Sequence, residues 1–589
     1  MIISTIEKKI DPLIFNINNK NGSVNLELTT DENALQIFRF EYQNHGGSFP
    51  EPVSLQWRIP AAKVKGVWKP TSDFSKRIEA DWELGNHESR ISIDAPVISL
   101  FGNNDDNVLC FSCSNAINRV EMAAKYREED NHFYCQIIFF TECKYPVEEF
   151  SADIRIDQRK IHFSKSLQET SKWWESYENL KPTSVPAIAK KPLYSTWYQF
   201  HQNLNQDLLF KECRIAKDLG FDSIIIDDGW QTKDTNRGYD YTGDWRPERF
   251  PNMVTLVKEI QNLGMKVGIW YSVPFCGRKS KAYQKFKGKF LTENHRWAPV
   301  FDPRYPEVRD YLTGIYVNAV RDWNLDGLKL DFIDDFKSYQ ETPFDASKNR
   351  DFSSINEAVD ALLTQVIVEV KKVNPDIFIE FRQKYTGPAM RKYGNMLRAF
   401  DCPGDYTMNR VRITDIKMLC GETAVHSDMV TWHFDETVQD AALHYLSTLF
   451  GVPQVSVMLN KAPESHLNML QFYTRYWNEN SDIFCSGKFL PSRPLSNYPV
   501  LRANLNNKVI IGIFEDQNLQ INHRFLAIDI LNAKSSKMIV INSNLNLGTY
   551  EYKTYDCEGK LIKDDFINID EGLNTIEIPK SGMAQLKSI

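Results

Sequence analysis

Residues 222–230 read DSIIIDDGW, a short apolar run that ends in two carboxylates, a glycine and a tryptophan. The amphipathic stretch 208–220 precedes this run, and a second amphipathic stretch, 253–264, follows it. Alternation of apolar strands with amphipathic helices is typical of a parallel sheet. The pattern therefore predicts a βα unit whose strand carries Asp227 and Asp228 at its carboxyl end.

The same alternation continues on both sides of this unit. The other stretches that favour strands are 194–200, 266–273, 325–333, 377–383, 395–400, 429–434 and 452–459. Eight units in one stretch are typical of a (β/α)8 barrel, whereas open doubly wound sheets usually stop at roughly five to seven strands. No GxGxxG or GxxxxGK[ST] motif follows any of these strands, so nucleotide binding loses its main support.

The two ends of the chain have a different pattern. Segments such as SVNLELTT and HFYCQIIFFTE alternate apolar and polar residues, which predicts antiparallel strands. The pattern returns near the C-terminus, for example in VLRANLNNKVIIGIFED. We therefore predict a multidomain α/β and all-β protein, with an N-terminal β-sandwich over 1–185, a (β/α)8 catalytic barrel over 190–485 and a C-terminal antiparallel β-sandwich domain over 486–589.

Composition excludes several classes of partner. The net charge is −7, and 25% of the residues are charged. Neither nucleic acid nor an anionic membrane is favoured by that balance. No window approaches the roughly 20 apolar residues of a membrane span. The opening MIISTIEKKIDPLIF lacks the basic start, apolar core and cleavage site of a secretory signal, so we expect a cytoplasmic protein.

Carboxylates and basic residues cluster at the predicted strand ends, where a barrel enzyme keeps its active site. Besides Asp227 and Asp228, these residues are Lys329, Asp331, Glu380, Arg382, Arg398 and Asp401. Two facing carboxylates are what glycosidic bond cleavage requires, because one attacks or activates water while the other protonates the leaving oxygen. Lys329 lies on the same side of its strand as Asp331, so its charge favours the ionised carboxylate. No His-rich set competes with these carboxylates, and we predict neither metal nor cofactor.

Four motifs in combination resemble the α-galactosidases of glycoside hydrolase families 27 and 36, and family 36 more closely. The motifs are PLYSTWYQF, IIIDDGW, GDWRPERFPN and DGLKLDFI, in this order between Pro192 and Ile333. The resemblance implies a retaining hydrolase that releases terminal α-linked galactose from an oligosaccharide or glycoconjugate. It also makes a homo-oligomer one expectation, since oligomers are common in the family.

The resemblance further implies roles for single residues. Asp331 matches the nucleophile, and Asp401, after Arg398, is the position implied for the acid/base. The implied substrate-binding residues are Trp197, Asp227, Asp228, Trp230, Lys329, Arg382 and Arg398. Asp405 remains an alternative acid/base, because Arg398 and Asp401 are three apart where the family commonly spaces the two residues four apart.

The loop after the fifth strand departs from the family. IEFRQKYTGP stands where family 36 usually carries a Cys and Gly-rich stretch ending in Arg, next to the O2 substituent of the sugar. The same chemistry on an α-N-acetylgalactosaminide or a β-L-arabinopyranoside, or galactosyl transfer, therefore stays open. A non-catalytic carbohydrate-binding protein is the alternative from another class, motivated by the irregular spacing of the acid/base motif.

Overall fold

Three regions of regular structure follow one another in the computed structural model, which describes residues 4–10, 13–44, 47–236, 238–344, 349–382 and 384–589. An N-terminal β-sandwich leads into a parallel barrel, and a β domain follows the barrel. This order confirms the predicted fold class. The numerical domain bounds stay a prediction.

The N-terminal region consists of antiparallel strands in two packed sheets. The strands are β1 (Ser4–Ile10), β2 (Leu13–Asn19), β3 (Ser23–Glu32), β4 (Leu35–Gln43), β5 (Val53–Pro60), β6 (Gly66–Trp68), β7 (His87–Ser89), β8 (Val97–Phe101), β9 (Asn107–Cys113), β10 (Val120–Arg127), β11 (His132–Phe139) and β12 (Glu149–Asp157). One sheet has the order β1-β2-β5-β11-β10-β7 and the other β3-β4-β12-β9-β8-β6. In β4 every second side chain is buried, which places Phe38 and Phe40 in the core between the sheets.

Eight parallel strands form the barrel. In chain order, and with the inserted antiparallel pair β16–β17, the strands are β13 (Leu193–Ser195), β14 (Ser223–Ile226), β15 (Lys266–Ser272), β16 (Phe290–Thr292), β17 (Val300–Phe301), β18 (Gly327–Asp331), β19 (Phe378–Arg382), β20 (Met396–Arg398), β21 (Ala424–His426) and β22 (Gln454–Val455). The sheet order is β21-β20-β19-β18-β15-β14-β13-β22. Two backbone hydrogen bonds join β21 to the segment before β22, from Ser427 to Val452 (3.0 Å) and from Val452 to Val425 (2.7 Å).

The predicted seventh strand, 429–434, is wrong. The strand is Ala424–His426, and within 429–434 only Val430 forms an isolated bridge, to Val455. The sequence AVH has no long apolar run, yet all three side chains are buried. The His426 imidazole is accommodated because its Nε2 lies 2.7 Å from the Ala189 carbonyl oxygen. Packing, rather than apolar length, selects this strand.

Local signals in the sequence mark the start or the end of several helices. The helices are α1 (Phe163–Glu175), α2 (Trp197–Phe200), α3 (Gln206–Asp218), α4 (Met253–Asn262), α5 (Lys281–Lys285), α6 (Pro306–Trp323), α7 (Ile355–Val373), α8 (Met390–Tyr393), α9 (Tyr406–Lys417), α10 (Val438–Leu446), α11 (Glu464–Glu479) and α12 (Ser481–Ser486). Pro306 stands in the first turn of α6, and Asn324 ends that helix in the left-handed region. Ser354 caps α7 by accepting from the Glu357 N–H. Across the described ranges, no helix combines the length and apolarity needed to cross a membrane.

The C-terminal region is a second pair of packed sheets. Its strands are β23 (Lys488–Ser492), β24 (Val500–Leu505), β25 (Lys508–Ile513), β26 (Asn518–Gln520), β27 (Ala527–Asn532), β28 (Met538–Ser543), β29 (Gly548–Tyr555), β30 (Leu561–Ile569), β31 (Gly572–Glu577) and β32 (Met583–Ser588). The pairs β25–β27 and β26–β28 are parallel, and the other pairs are antiparallel as predicted.

A buried carboxylate on α9 connects all three regions. Asp415 accepts from the Trp68 indole (2.8 Å) and the Tyr498 hydroxyl (2.5 Å), and it lies 3.2 Å from the Lys76 ammonium group. Trp68 and Lys76 belong to the N-terminal region, and Tyr498 precedes β24. Because a buried charge is costly without partners, these contacts favour one arrangement of the three regions.

Candidate active site

The carboxyl ends of the barrel strands bring most of the predicted site residues together. Asp227 and Asp228 follow β14, Lys329 and Asp331 end β18, Arg382 ends β19 and Arg398 ends β20. All six side chains are largely buried. Asp401 lies on the loop between β20 and α9 and pairs with Arg398. The strands therefore converge on one site, as the (β/α)8 fold requires.

Asp331 is held by four donors. Its Oδ1 accepts from Arg382 Nε (2.6 Å), the Tyr385 hydroxyl (2.8 Å) and the Phe332 N–H (2.7 Å). Among the described residues, its Oδ2 accepts only from the Trp270 indole, at 3.0 Å. The carboxylate is consequently fixed in orientation, and Oδ2 is the oxygen with fewer hydrogen bonds.

Charge keeps Asp331 ionised despite its burial. Burial by itself raises the pKa of a carboxyl group. The positive charges of Arg382 and Lys329, together with the Trp270 hydrogen bond, outweigh burial and hold the pKa of Asp331 well below its usual range. An ionised, oriented carboxylate in a buried pocket is suited to nucleophilic attack.

Lys329 contacts Asp227 and acts on Asp331 from a distance. Its Nζ lies 2.7 Å from Asp227 Oδ2, so its effect on Asp331 acts through charge rather than a direct bond. Asp228 accepts from Gln202 (2.8 Å) and Gln231 (2.6 Å), and burial raises the pKa of Asp228 to about 7. This part of the site is a polar cluster whose members suit hydrogen bonding to hydroxyl groups.

Asp401 has a more open environment than Asp331. Its side chain is 43% exposed, and its Oδ1 accepts from Arg398 Nη2 at 2.8 Å. Burial raises the pKa of Asp401, but the charges of Arg398, Arg382 and Lys329 together outweigh burial and lower that pKa below the usual value. The charge of Asp331 acts in the opposite direction, so the two carboxylates influence each other.

The alternative acid/base, Asp405, caps a helix. Its Oδ1 accepts from the Met408 N–H at 2.8 Å at the start of α9. Such an N-cap is the structural role that an Asp in this position commonly has. The contact with Arg398 belongs to Asp401, which supports Asp401 over Asp405.

Asp428 is a site residue that the sequence reasoning missed. It is fully buried, forms an ion pair with Arg398, and accepts from the Tyr198 hydroxyl (2.7 Å) and the Cys402 N–H (2.6 Å). Burial raises the pKa of Asp428 to about 6, although Arg398 opposes this. Asp428 lies two residues after β21, at a strand end. The sequence pattern did not reveal this position because the seventh strand was predicted at 429–434.

Trp230 is enclosed by other residues, and its predicted role in substrate binding stays a prediction. Trp230 is fully buried, donates from Nε1 to the Trp270 carbonyl oxygen at 2.8 Å, and packs edge-on against Tyr271 and Trp323. Gly229 has a φ of +116°, which only glycine adopts readily, and the resulting turn carries Trp230 into the layer between strands and helices. Trp197 is half-buried at the start of α2, beyond the end of β13, and its substrate-binding role stays a prediction.

The loop after β19 supplies two contacts to Asp331. The Arg382 guanidinium lies over the rings of Phe332 (5.2 Å) and Phe400 (4.8 Å) while its Nε contacts Asp331. Tyr385 adds a hydroxyl that the sequence reasoning did not single out. Gln383, in the same loop, lies outside the described residues.

Part of the chain matches a known protein family. The family model described as melibiase matches residues 164–386, a segment that includes β13 to β19. We call residues 164–386 the melibiase segment, because of their similarity to that family. The resemblance to glycoside hydrolase family 36 that the motifs indicate is thereby confirmed.

The relatives of the melibiase segment are distant in sequence. An α-galactosidase of Escherichia coli is 24% identical over 180 residues, which cover 29% of this chain and 25% of that protein. The α-galactosidase AgaA of Geobacillus stearothermophilus is 29% identical over 98 residues, covering 16% of this chain and 13% of AgaA. The matches therefore span about a quarter or less of these two relatives.

Structural similarity extends beyond the melibiase segment. A crystal structure of AgaA covers 100% of this chain and 88% of its own, with a TM-score of 0.65 and 14% identity. The Thermus thermophilus α-galactosidase TtGalA, in complex with stachyose, has a TM-score of 0.51 and 16% identity, covering 80% of this chain and 99% of its own. At these identities the similarity shows that the fold is shared.

Within the described ranges, no group of three or more His, Cys, Asp or Glu side chains is arranged to hold a metal ion. The carboxylates at the strand ends are paired instead with Arg382, Lys329 and Arg398.

Proposed function

We propose that the protein is a retaining glycoside hydrolase, an α-galactosidase that releases terminal α-linked galactose from an oligosaccharide or glycoconjugate. The observation that carries this proposal is the contrast between two neighbouring carboxylates, Asp331 and Asp401. Asp331 is buried, oriented and held ionised, whereas Asp401 is accessible and only singly paired. A nucleophile and a proton carrier require these two different environments.

In the first step, Asp331 Oδ2 attacks the anomeric carbon and forms a glycosyl ester. The bond between the anomeric carbon and the leaving oxygen breaks as the proton of Asp401 passes to that oxygen. Arg382 and Tyr385 stay on Oδ1, so Oδ2 is the oxygen free to form the new bond. A retaining enzyme needs about 5 to 5.5 Å between the two carboxyl groups, and this separation stays a prediction here.

In the second step, Asp401 removes a proton from a water molecule. The water oxygen attacks the anomeric carbon, the ester bond to Asp331 breaks, and the Asp331 carboxylate is regenerated with Asp401 protonated for the next cycle. Substrate that covers Asp401 removes it from solvent, which favours its neutral form. This shift opposes the effect of Arg398 and allows the proton to be held until it is needed.

Galactose is the sugar that we propose. Asp227, Asp228 and Lys329 form a cluster of acceptors and one donor that suits a sugar with several hydroxyl groups. Crystal structures of AgaA variants in complex with raffinose and with stachyose support an oligosaccharide as the substrate class. Cytoplasmic location and a homo-oligomer remain predictions.

The same chemistry on another sugar is the second candidate. Arg382 and Tyr385 occupy the loop that departs from family 36, and both contact the nucleophile. This departure favours testing α-N-acetylgalactosaminides, β-L-arabinopyranosides and galactosyl transfer alongside hydrolysis. A carbohydrate-binding protein without turnover is the remaining alternative.

The test is release of nitrophenol from a panel of α- and β-nitrophenyl glycosides by wild type and Asp331→Ala. We expect release from the α-galactoside, lost by a factor of about a thousand or more in the variant. Asp335→Ala is the matched control, since Asp335 lies in the same segment but faces His295 (3.5 Å) and Lys337 (3.4 Å). Nitrophenol release only from a glycoside of another sugar would show that galactose is not the substrate. No release from any glycoside would favour the carbohydrate-binding protein without turnover.

The stereochemistry gives a second test. Proton NMR during hydrolysis shows which anomer of free galactose appears first. We expect the α-anomer before mutarotation, because two displacements retain configuration. The β-anomer first would indicate inversion and would contradict the role of Asp331 as a nucleophile.

A further inference from the structure

The peptide unit that follows Asp401 is held at both of its ends. The Asp401 carbonyl oxygen accepts from Arg412 Nη1 at 3.1 Å, and the Cys402 N–H donates to Asp428 at 2.6 Å. Arg412 Nη1 also donates to the Phe400 carbonyl oxygen at 3.1 Å. Fixing this peptide plane limits the backbone rotation of Asp401, and with it the direction of the carboxyl group.

Arg412 is itself oriented from outside the barrel. Its Nε and Nη2 donate to the two oxygens of Asp73, at 2.9 and 2.7 Å, in a bidentate pair. Asp73 lies between β6 and β7 in the N-terminal region. The pair leaves Nη1 directed at the loop of Asp401, and the guanidinium lies 5.3 Å from the Phe400 ring. Bidentate geometry fixes direction as well as distance.

A second contact holds Asp73 against the same helix. The Lys76 ammonium group donates to the Asp73 carbonyl oxygen and forms an ion pair with Asp415, three residues after Arg412 on α9. Asp73 has a φ of +48°, a strained conformation for a residue with a side chain. The segment around Asp73 is therefore held in a conformation that presents its carboxylate to Arg412.

We propose that Asp73 is a positioning residue for proton transfer, which holds the carboxyl group of Asp401 in register with the leaving oxygen through Arg412. This inference rests on the proposed role of Asp401 as acid/base. It gives the N-terminal β-sandwich a part in the reaction, although no residue of that domain has to touch the reacting atoms.

The test compares leaving groups. Aryl α-galactosides whose phenols range from strongly to weakly acidic are hydrolysed by wild type, Asp73→Ala, Asp73→Asn and Arg412→Lys, and kcat/KM is measured for each. Poor leaving groups need the proton of Asp401, so we expect Asp73→Ala to lose about ten- to a hundredfold on them. On the dinitrophenyl galactoside, which leaves without protonation, the change should stay within about twofold.

The pattern separates positioning from a general effect on folding. A variant that only reduces the folded fraction lowers kcat/KM by the same factor for every substrate, and that result would overturn the proposal. Unchanged kcat/KM values for all substrates would overturn it as well. Asp73→Asn keeps one acceptor oxygen and should lie between wild type and Asp73→Ala. If Asp73→Ala does not fold, Asp73→Asn and Arg412→Lys still give the leaving-group comparison.

Two controls complete the design. Asp130→Ala removes an ion pair of the same domain, between Asp130 and Arg58 at 2.9 Å. This variant should leave kcat/KM unchanged for all substrates. On poor leaving groups, the double variant Asp73→Ala/Arg412→Ala should lose little more kcat/KM than the worse of the single variants, because the two residues act as one unit. Failure of wild type on every glycoside would instead overturn the proposed function, and this inference with it.

Discussion

The proposed nucleophile, Asp331, and the proposed acid/base, Asp401, are held by different kinds of contact. Asp331 ends a buried strand and receives four hydrogen bonds, from side chains of the barrel and from its own neighbour in the chain. Asp401 lies on a loop, is 43% exposed and has one direct side-chain partner. The barrel thus builds the rigid half of the site, whereas the loop of the proposed proton carrier is held by contacts that reach into the N-terminal domain.

Removal of Asp401 should give the largest effect that distinguishes the two halves. For Asp401→Ala we expect kcat/KM on an unactivated oligosaccharide to fall by about 10²- to 10⁴-fold, because its leaving oxygen needs a proton. An activated aryl galactoside should still form the glycosyl-enzyme.

Added azide checks the second step of the same variant. A small anion needs no general base, so azide should accelerate turnover of the activated substrate by Asp401→Ala and yield the α-glycosyl azide, because azide replaces water in the second of two displacements. Equal losses on activated and unactivated substrates, with no effect of azide, would contradict the assignment of Asp401.

Replacement of Arg382 should change the pH dependence of kcat/KM through Asp331. Arg382 lowers the pKa of Asp331, so in Arg382→Gln that pKa rises and the ionised fraction declines at a higher pH. We therefore expect the acidic limb of kcat/KM against pH to move to higher pH. Lys384→Gln is the matched control, since it removes a charge from the same loop. If the acidic limb lies at the same pH in both variants as in wild type, Arg382 does not control the pKa of Asp331.

The Trp270 hydrogen bond is expected to have a smaller effect. Trp270→Phe keeps an aromatic ring but removes the donor to Asp331 Oδ2. A hydrogen bond to a charged group is worth about 1.5 to 3 kcal/mol, so kcat should fall by about ten- to a hundredfold. Steady-state kinetics measure this loss, and a change confined to KM would show that Trp270 contacts substrate instead.

The smallest catalytic effect is expected at Asp405. Asp405→Ala removes the N-cap of α9, which costs about 1 kcal/mol of unfolding free energy while kcat changes little. Thermal denaturation and kinetics on the same sample separate the two effects. Loss of activity at normal stability would favour Asp405 over Asp401 as the acid/base.

The residues that sequence reasoning placed well lie on or next to apolar strands. Asp227, Asp228, Lys329 and Asp331 follow from strand ends and from the two-residue period of a pleated strand. These signals are local, so they survive without knowledge of the neighbouring elements.

The residues that sequence reasoning missed depend on packing between distant segments. Asp428 follows a three-residue strand that is recognisable only by its neighbours, and Tyr385 reaches Asp331 across 54 positions of the chain. Asp73 and Arg412 are 339 positions apart. No periodicity of the chain encodes such a pair, since it exists only once two domains have docked.

The sequence by itself determined the order of the domains, the (β/α)8 barrel and the strand ends that carry the polar residues, because hydrophobic periodicity and side-chain chemistry act over a few residues. The tertiary structure alone decided which oxygen of Asp331 is left with a single hydrogen bond, which carboxylate pairs with Arg398 and which domain supports the loop of Asp401. These are questions of direction and distance between elements, and they are answered by packing and by the pairing of buried charges.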